Sequence, residues 1–240
     1  MCGEKATLSR RRLSRENLLF TLFRAPVFSI PKSGDIKLHF EENFPFPPNI
    51  SPVNQKKERR KNMSLDLFIL QQIQIYLKCA FLDFVMPFVT MLGEYGLVEI
   101  VLSLVLICVP KTRKLGFKVA LALVFGLLVG NLALKPLVAR IRPYDVVPGV
   151  ELLVPPQKDF SFPSGHTLAA FECAGVALFN CGRKTGIAAI AAASLIAFSR
   201  LYLFMHYPTD VIAGIVLGLC FAYLADFTVD VIAEKITGKK

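Results

Sequence analysis

Residues 115–134 read LGFKVALALVFGLLVGNLAL and run directly into Lys135. A single charge, Lys118, interrupts twenty positions, about the length an α-helix needs to cross the hydrocarbon core of a bilayer. Two further stretches, 97–109 and 211–225, have the same character. The 240-residue chain is 54% hydrophobic with a mean hydropathy of +0.52, above the 45–50% apolar content typical of soluble domains. These features predict an all-α, polytopic membrane bundle. About six helices are expected, at roughly 65–92, 96–110, 115–134, 166–181, 186–204 and 208–230. The first is amphipathic at its start, where Asp66, Gln71, Gln72 and Gln74 fall among Leu and Ile.

The charge is uneven. The formal net charge is +10, yet residues 1–62 carry 13 Lys/Arg against 6 Asp/Glu, a net of +7, which leaves +3 for the rest. A basic rim on a membrane protein explains this excess better than a nucleic-acid surface, so no nucleic-acid partner is expected. Lys111, Arg113, Lys114 and Lys118 link the second and third helices. Arg183 and Lys184 link the fourth and fifth, and Lys235, Lys239 and Lys240 follow the sixth. By the positive-inside rule these regions and both termini are cytoplasmic, and the opposite helix ends face outward. The six cysteines (Cys2, Cys79, Cys108, Cys173, Cys181, Cys220) follow no paired spacing and read as free thiols, with no metal site among them.

Residues 1–62 differ from the rest, with the run Arg10–Arg12, prolines at 45, 47, 48 and 52, and the charged run Lys56-Lys57-Glu58-Arg59-Arg60-Lys61. They read as a disordered extension or a mis-assigned start, with Met63 opening a membrane domain at 63–240.

Three polar clusters sit at the ends of apolar segments, where a charge is costly unless it has a task. The first is Lys135 with Arg142-Pro143. The second is Phe162-Pro163-Ser164-Gly165-His166-Thr167. The third is Ser199-Arg200 with His206 and Asp210. Any one alone reads as a helix cap, a capping ion pair or a snorkelling base. Pooled, they supply three cations, two imidazoles and a carboxylate, a set suited to gripping a phosphate and attacking it. Helical spacing of four places Asp210 beside His206, so the carboxylate fixes the imidazole tautomer and His206 is the expected nucleophile. His166 lacks a carboxylate at helical spacing and is expected to be the general acid. Ser164 and Gly165 open a helix whose N–H groups suit an anion. Arg200 can fork onto two oxygens, and Lys135 and Arg142 can neutralise charge developing on the others. Arg140 is free to meet a lipid headgroup. Glu99 and Glu172 read as buried neutral acids or interhelical hydrogen-bonding groups.

Lys-x(6)-Arg-Pro, Pro-Ser-Gly-His and Ser-Arg-x(5)-His-x(3)-Asp occur once each, in this order. This constellation closely resembles the type 2 phosphatidic acid phosphatase superfamily, which includes vanadium haloperoxidases. The resemblance covers Met63 to about residue 230. It implies a helical acid phosphatase/vanadium haloperoxidase-like fold and hydrolysis of a membrane lipid phosphate or diphosphate without metal or other cofactor. It makes His206 the nucleophile forming a phosphohistidine, Asp210 its orienter and His166 the general acid. Lys135, Arg142, Ser164, Gly165 and Arg200 would hold the phosphate. Undecaprenyl diphosphate, as in small bacterial members, is the first expected substrate, with phosphatidylglycerophosphate or phosphatidate next. A soluble vanadate enzyme fits the hydropathy poorly, and a non-catalytic anion-binding or transport protein is the other class.

Overall fold

The computed structural model describes residues 64–238. The expectations for 1–62, including the start at Met63, lie outside these residues. All regular structure among them is helical. The α-helices are α1 (Leu65–Leu77), α2 (Ala80–Met91), α3 (Leu97–Cys108), α4 (Arg113–Phe125), α5 (Lys135–Val138), α6 (Pro143–Val146), α7 (Gly165–Asn180), α8 (Arg183–Tyr202) and α9 (Pro208–Thr237). Four stretches are long and apolar enough to cross a membrane: Ala80–Cys108, Arg113–Val146, Arg183–Tyr202 and Pro208–Ile236. Leu104, Leu132, Val216 and Phe227 are each more than half exposed, as side chains facing lipid should be.

The boundaries differ from expectation in three places: the sixth expected helix runs on to Thr237, so Lys235 lies within it and not after it, and the first and third are altered. The first expected helix breaks at Lys78 and Cys79, both extended. Tyr202 occupies the break. Its carbonyl accepts from Gln74 Nε2 at 2.6 Å, and its hydroxyl accepts the Cys79 N–H at 3.3 Å and donates to Asp83 at 2.6 Å. These contacts satisfy backbone and side-chain groups that an unbroken helix would engage differently. The third expected helix changes period instead of ending: α4 passes into a π-helical segment, Gly126–Leu134, before α5.

Helix α7 is packed against α8, α9 and α4. Small residues make this possible. On α9, a Cβ at Gly214 would lie 3.0 Å from the Ser164 carbonyl oxygen, and one at Gly218 would lie 2.8 Å from the Leu168 carbonyl oxygen. Ala222 continues the stripe against Gly175. The π segment meets α7 the same way, since a Cβ at Gly130 would strike Leu168. Apolar clusters fill the remainder, among them Val119, Ala122, Val176, Ala222 and Ala225.

Away from the motifs, buried Lys118 donates to Asp226 at 2.6 Å and to Asn180 at 2.7 Å, and lies 2.7 Å from Asp230. Lys118 therefore ties α4 to α9 inside the bundle and is neutralised there, where its sequence position suggested a loop charge. Glu99 and Glu172 are buried as expected. Glu99 Oε2 and Glu172 Oε1 have no hydrogen-bond partner among the described residues.

Candidate active site

All three clusters converge. Lys135 begins α5, and Ala139, in the left-handed region at φ 47°, ends it. The chain then extends through Arg142 (φ −73°, ψ 152°), as the following Pro143 demands. Ser164 is the N-cap of α7, its N–H donating to the Asp210 carbonyl at 3.2 Å. Its hydroxyl lies 2.9 Å from that of Thr167. A Cβ on Gly165 would lie 3.6 Å from Lys135 Nζ and 3.3 Å from Asn131 Oδ1. The first turn of α7 and the Lys135 ammonium thus border the same space.

Arg200 is almost wholly buried at the end of α8. Its Nη1 donates to Thr90 Oγ1 at 2.5 Å and its Nη2 to Gln157 Oε1 at 3.0 Å. Both partners are neutral, and no ion pair to Arg200 is found among the described residues, so its charge remains available to a substrate. Arg142, equally buried, donates from Nε to the Asp159 carbonyl at 2.9 Å and from Nη1 to the Met205 carbonyl at 2.9 Å. Its Nη2 donates to Asp159 Oδ1 at 2.5 Å. The other oxygen of Asp159 accepts from Lys135 Nζ. Held between these two cations, the Asp159 carboxyl is lowered to about 2 even though burial opposes the shift.

The two histidines sit in different surroundings. His206 Nδ1 is 2.7 Å from the Ser161 carbonyl oxygen, and Nε2 is 3.2 Å from Arg142 Nη1. A carbonyl can only accept and a guanidinium can only donate, so the proton is on Nδ1 and Nε2 presents its lone pair. Burial lowers the imidazole pKa to about 3. Arg142 and Arg200 push in the same direction, and Asp210 pushes against them.

Asp210 lies beside His206, as helical spacing suggested, but at ion-pair distance and not as a hydrogen-bond partner. Its Oδ2 lies 3.7 Å from His206 Nδ1. The reason is local: Pro208 starts α9 and Tyr207 is its extended N-cap, so His206 precedes the helix and shares no helical face with Asp210. Asp210 instead accepts from Ser161 Oγ at 2.5 Å, the Tyr207 N–H at 2.9 Å and Arg140 Nη1 at 2.6 Å. It holds Ser161, and the Ser161 carbonyl holds the imidazole. Arg140 also departs from expectation. It donates to Asp66 at 2.6 Å and Thr209 at 2.6 Å and lies 3.8 Å over the Tyr207 ring. It is thus a clasp between α1 and α9 instead of a contact for headgroups.

His166 does have a carboxylate neighbour, contrary to the helical-spacing argument. Glu94, in the 3-10 turn Glu94–Gly96, places Oε2 3.3 Å from His166 Nε2. A carboxylate accepts, so this contact keeps a proton on Nε2. Gly93 makes room for the ring, since a Cβ there would lie 3.1 Å from His166 Cδ2. Burial, and after it the charges of Arg200, His206, Lys135 and Arg142, lower the pKa of this imidazole to about 2, so the ring is neutral before a substrate anion enters.

Sequence reasoning missed Glu94, Asp159, Ser161, Thr90 and Gln157. Asp159 and Ser161 stand just before the Pro-Ser-Gly-His cluster, a position that could have flagged them. Thr90, Glu94 and Gln157 are joined to the site only through tertiary contact. No group of three or more His, Cys, Asp or Glu side chains suited to a metal ion occurs among the described residues.

A bundle of membrane-length helices with buried cations and imidazoles gathered at one site defines a membrane phosphatase. Residues 115–229 match the PAP2 superfamily. The chain is 32% identical to the undecaprenyl-diphosphatase of Sulfolobus acidocaldarius over 70% of its own length and 79% of the relative's. The fold is similar to the crystal structure of Aquifex aeolicus LpxE, with a TM-score of 0.61 at 26% identity, covering 68% of this chain and 96% of that one. It is also similar to the first transmembrane PAP2 type phosphatidylglycerolphosphate phosphatase from Bacillus subtilis, with a TM-score of 0.54 at 27% identity, covering 78% of this chain and 89% of that one. The protein belongs to the PAP2 superfamily and is a multi-pass membrane lipid phosphatase.

Proposed function

We propose that this phosphatase hydrolyses a polyprenyl diphosphate, undecaprenyl diphosphate first, through a phosphohistidine on His206. One observation carries the chemistry: the Ser161 carbonyl and Arg142 together leave His206 Nε2 unprotonated, with its lone pair toward the Arg142 guanidinium. Nε2 attacks the terminal phosphorus, and the bond to the leaving oxygen breaks. Lys135, Arg142 and Arg200, with Ser164 and the N–H of Gly165, hold the phosphoryl oxygens as charge develops on them. Once protonated, His166 gives one of its ring protons to the leaving oxygen. Glu94 and the incoming anion stabilise the imidazolium needed for that transfer. A water then attacks the phosphohistidine, with His166 as base, releasing orthophosphate and restoring His206. Asp210 acts by holding Ser161 and the head of α9. The three cations supply the charge neutralisation that metal ions provide in other phosphatases, so the reaction needs no metal.

The likeness to the Sulfolobus undecaprenyl-diphosphatase supports the lipid choice. The likeness to the Bacillus phosphatidylglycerolphosphate phosphatase keeps phosphatidylglycerophosphate and phosphatidate as the second reading. The test is phosphate release by the purified protein in detergent from undecaprenyl diphosphate, phosphatidylglycerophosphate and phosphatidate. Undecaprenyl diphosphate should have the highest kcat/KM, EDTA should leave the rate unchanged, and His206→Ala should lower kcat at least about 10³-fold. Release that survives His206→Ala would remove the nucleophile assignment, and faster release from a glycerolipid would favour the second reading.

A further inference from the structure

Asp159 has no place in the phosphoryl-transfer scheme, yet it makes the closest contacts of the two cations expected to hold the phosphate. Its carboxylate bridges Lys135 Nζ and Arg142 Nη2, one oxygen to each. The cations are well shielded, with Lys135 12% and Arg142 2% exposed in their side chains, whereas Asp159 is 48% exposed. An anion with one face in water, fastened to two sheltered cations, has the charge and the oxygen spacing of part of a phosphate group.

We propose that Asp159 is an intramolecular competitor for the phosphate site, occupying Lys135 and Arg142 until a substrate phosphate displaces it and returning as orthophosphate leaves. This rests on the reading that Lys135 and Arg142 hold the phosphate, and not on which lipid carries it.

The loop around Asp159 permits the exchange. The segment stays anchored without the carboxylate. Arg142 Nε donates to the Asp159 backbone carbonyl at 2.9 Å, and the Ser161 N–H donates to the Arg140 carbonyl at 2.8 Å. Tyr144 Oη donates to the Gln157 carbonyl at 2.9 Å and accepts its N–H at 3.1 Å. Only the side chain has to rotate toward solvent. The low proton affinity of the carboxyl keeps it charged, so it competes throughout the neutral range. An internal competitor multiplies the apparent dissociation constant of every phosphate ligand by the reciprocal of the fraction of time the cations are free. It disfavours retention of the product by the same factor, which suits an enzyme that must discharge phosphate after each turnover.

The test is a titration of the detergent-purified full chain with sodium orthophosphate and, separately, orthovanadate, read as the rise in Tm with ligand concentration. Asp159→Asn should tighten both ligands by roughly tenfold or more, the scale set by losing two charged hydrogen bonds from the competing state. Asp159→Ala should do the same and serves where Asn folds poorly. Asp159→Glu, which keeps the charge, should stay near the wild type. Glu151→Gln removes the same charge from the same loop and should change nothing. Unchanged or weaker binding in both neutral variants overturns the proposal, as does failure of either anion to bind any form. Equal tightening by Glu151→Gln would reduce the effect to net charge and also overturn it. Because the readout needs no lipid turnover, it is separable from the substrate assignment. Hydrolysis with unchanged anion affinity sinks only this proposal, and tighter binding without hydrolysis sinks only the substrate reading.

Discussion

At the scale of single residues, the neighbours of His206 decide its chemistry. A carbonyl on Nδ1 and a guanidinium on Nε2 leave one tautomer, and burial with two nearby arginines keeps the ring neutral. This has a measurable consequence for stability. The folded imidazole has a pKa near 3 against an ordinary value of 6.5, so the unfolded chain binds the proton first on acidification. The contribution is fully present above pH 6.5 and is lost as pH falls from there toward 3. At pH 5 the loss should be about 2 kcal/mol for this group. Thermal melts of detergent-solubilised protein between pH 7 and pH 5 should therefore fall more steeply for the wild type than for His206→Gln. Parallel slopes would show that His206 is protonated in the folded protein.

At the scale of elements, the site depends on how closely α7 approaches its neighbours. Gly214, Gly218 and Ala222 on α9 form a small-residue stripe along α7, and Gly126 and Gly130 in the π segment do the same from the other side. Membrane helices gain little from apolar burial against apolar lipid, so close backbone approach has to supply the association. A methyl at position 218 would meet the Leu168 carbonyl at 2.8 Å and Phe171 Cβ at 2.9 Å, neither of which can rotate away. Gly218→Ala should destabilise the protein by about 1–3 kcal/mol, seen as a lower Tm in detergent. An unchanged Tm would mean that α9 can slide along α7 without loss. The π segment delivers Asn131 and Lys135 beside Gly165, a placement that straight helical counting over 115–134 could not supply.

At the scale of the whole molecule, the candidate site groups gather at one region and the Lys118–Asp226–Asp230 cluster ties α4 to α9 at another. Lys111, Arg113, Arg183 and Lys184 flank the helix ends away from the motifs, and the positive-inside rule predicts from them a site that faces outward. With native cysteines replaced by serine, Glu151→Cys on the active-site loop should react with a membrane-impermeant thiol reagent in intact cells. Lys184→Cys should react only after lysis. The reverse pattern would place the phosphate site in the cytoplasm.

The sequence by itself determined the helical membrane class and singled out the residues of the candidate site. Apolar runs of bilayer length admit one backbone solution in lipid, and three polar clusters at their ends form too specialised a set to arise from capping alone. Spacing along a chain reports neighbours only within one element: it brought Asp210 to 3.7 Å from His206 but not into a hydrogen bond, because Pro208 starts the helix between them. Only the tertiary structure decided who touches whom. Glu94 meets His166 from another helix, Ser161 stands between Asp210 and His206, Arg140 turns inward to Asp66 and Asp210, and Asp159 lies across Lys135 and Arg142. Each of these contacts joins residues from separate elements or loops. Their geometry is set by packing, which depends on where the small residues of α9 and the π segment let helices come together.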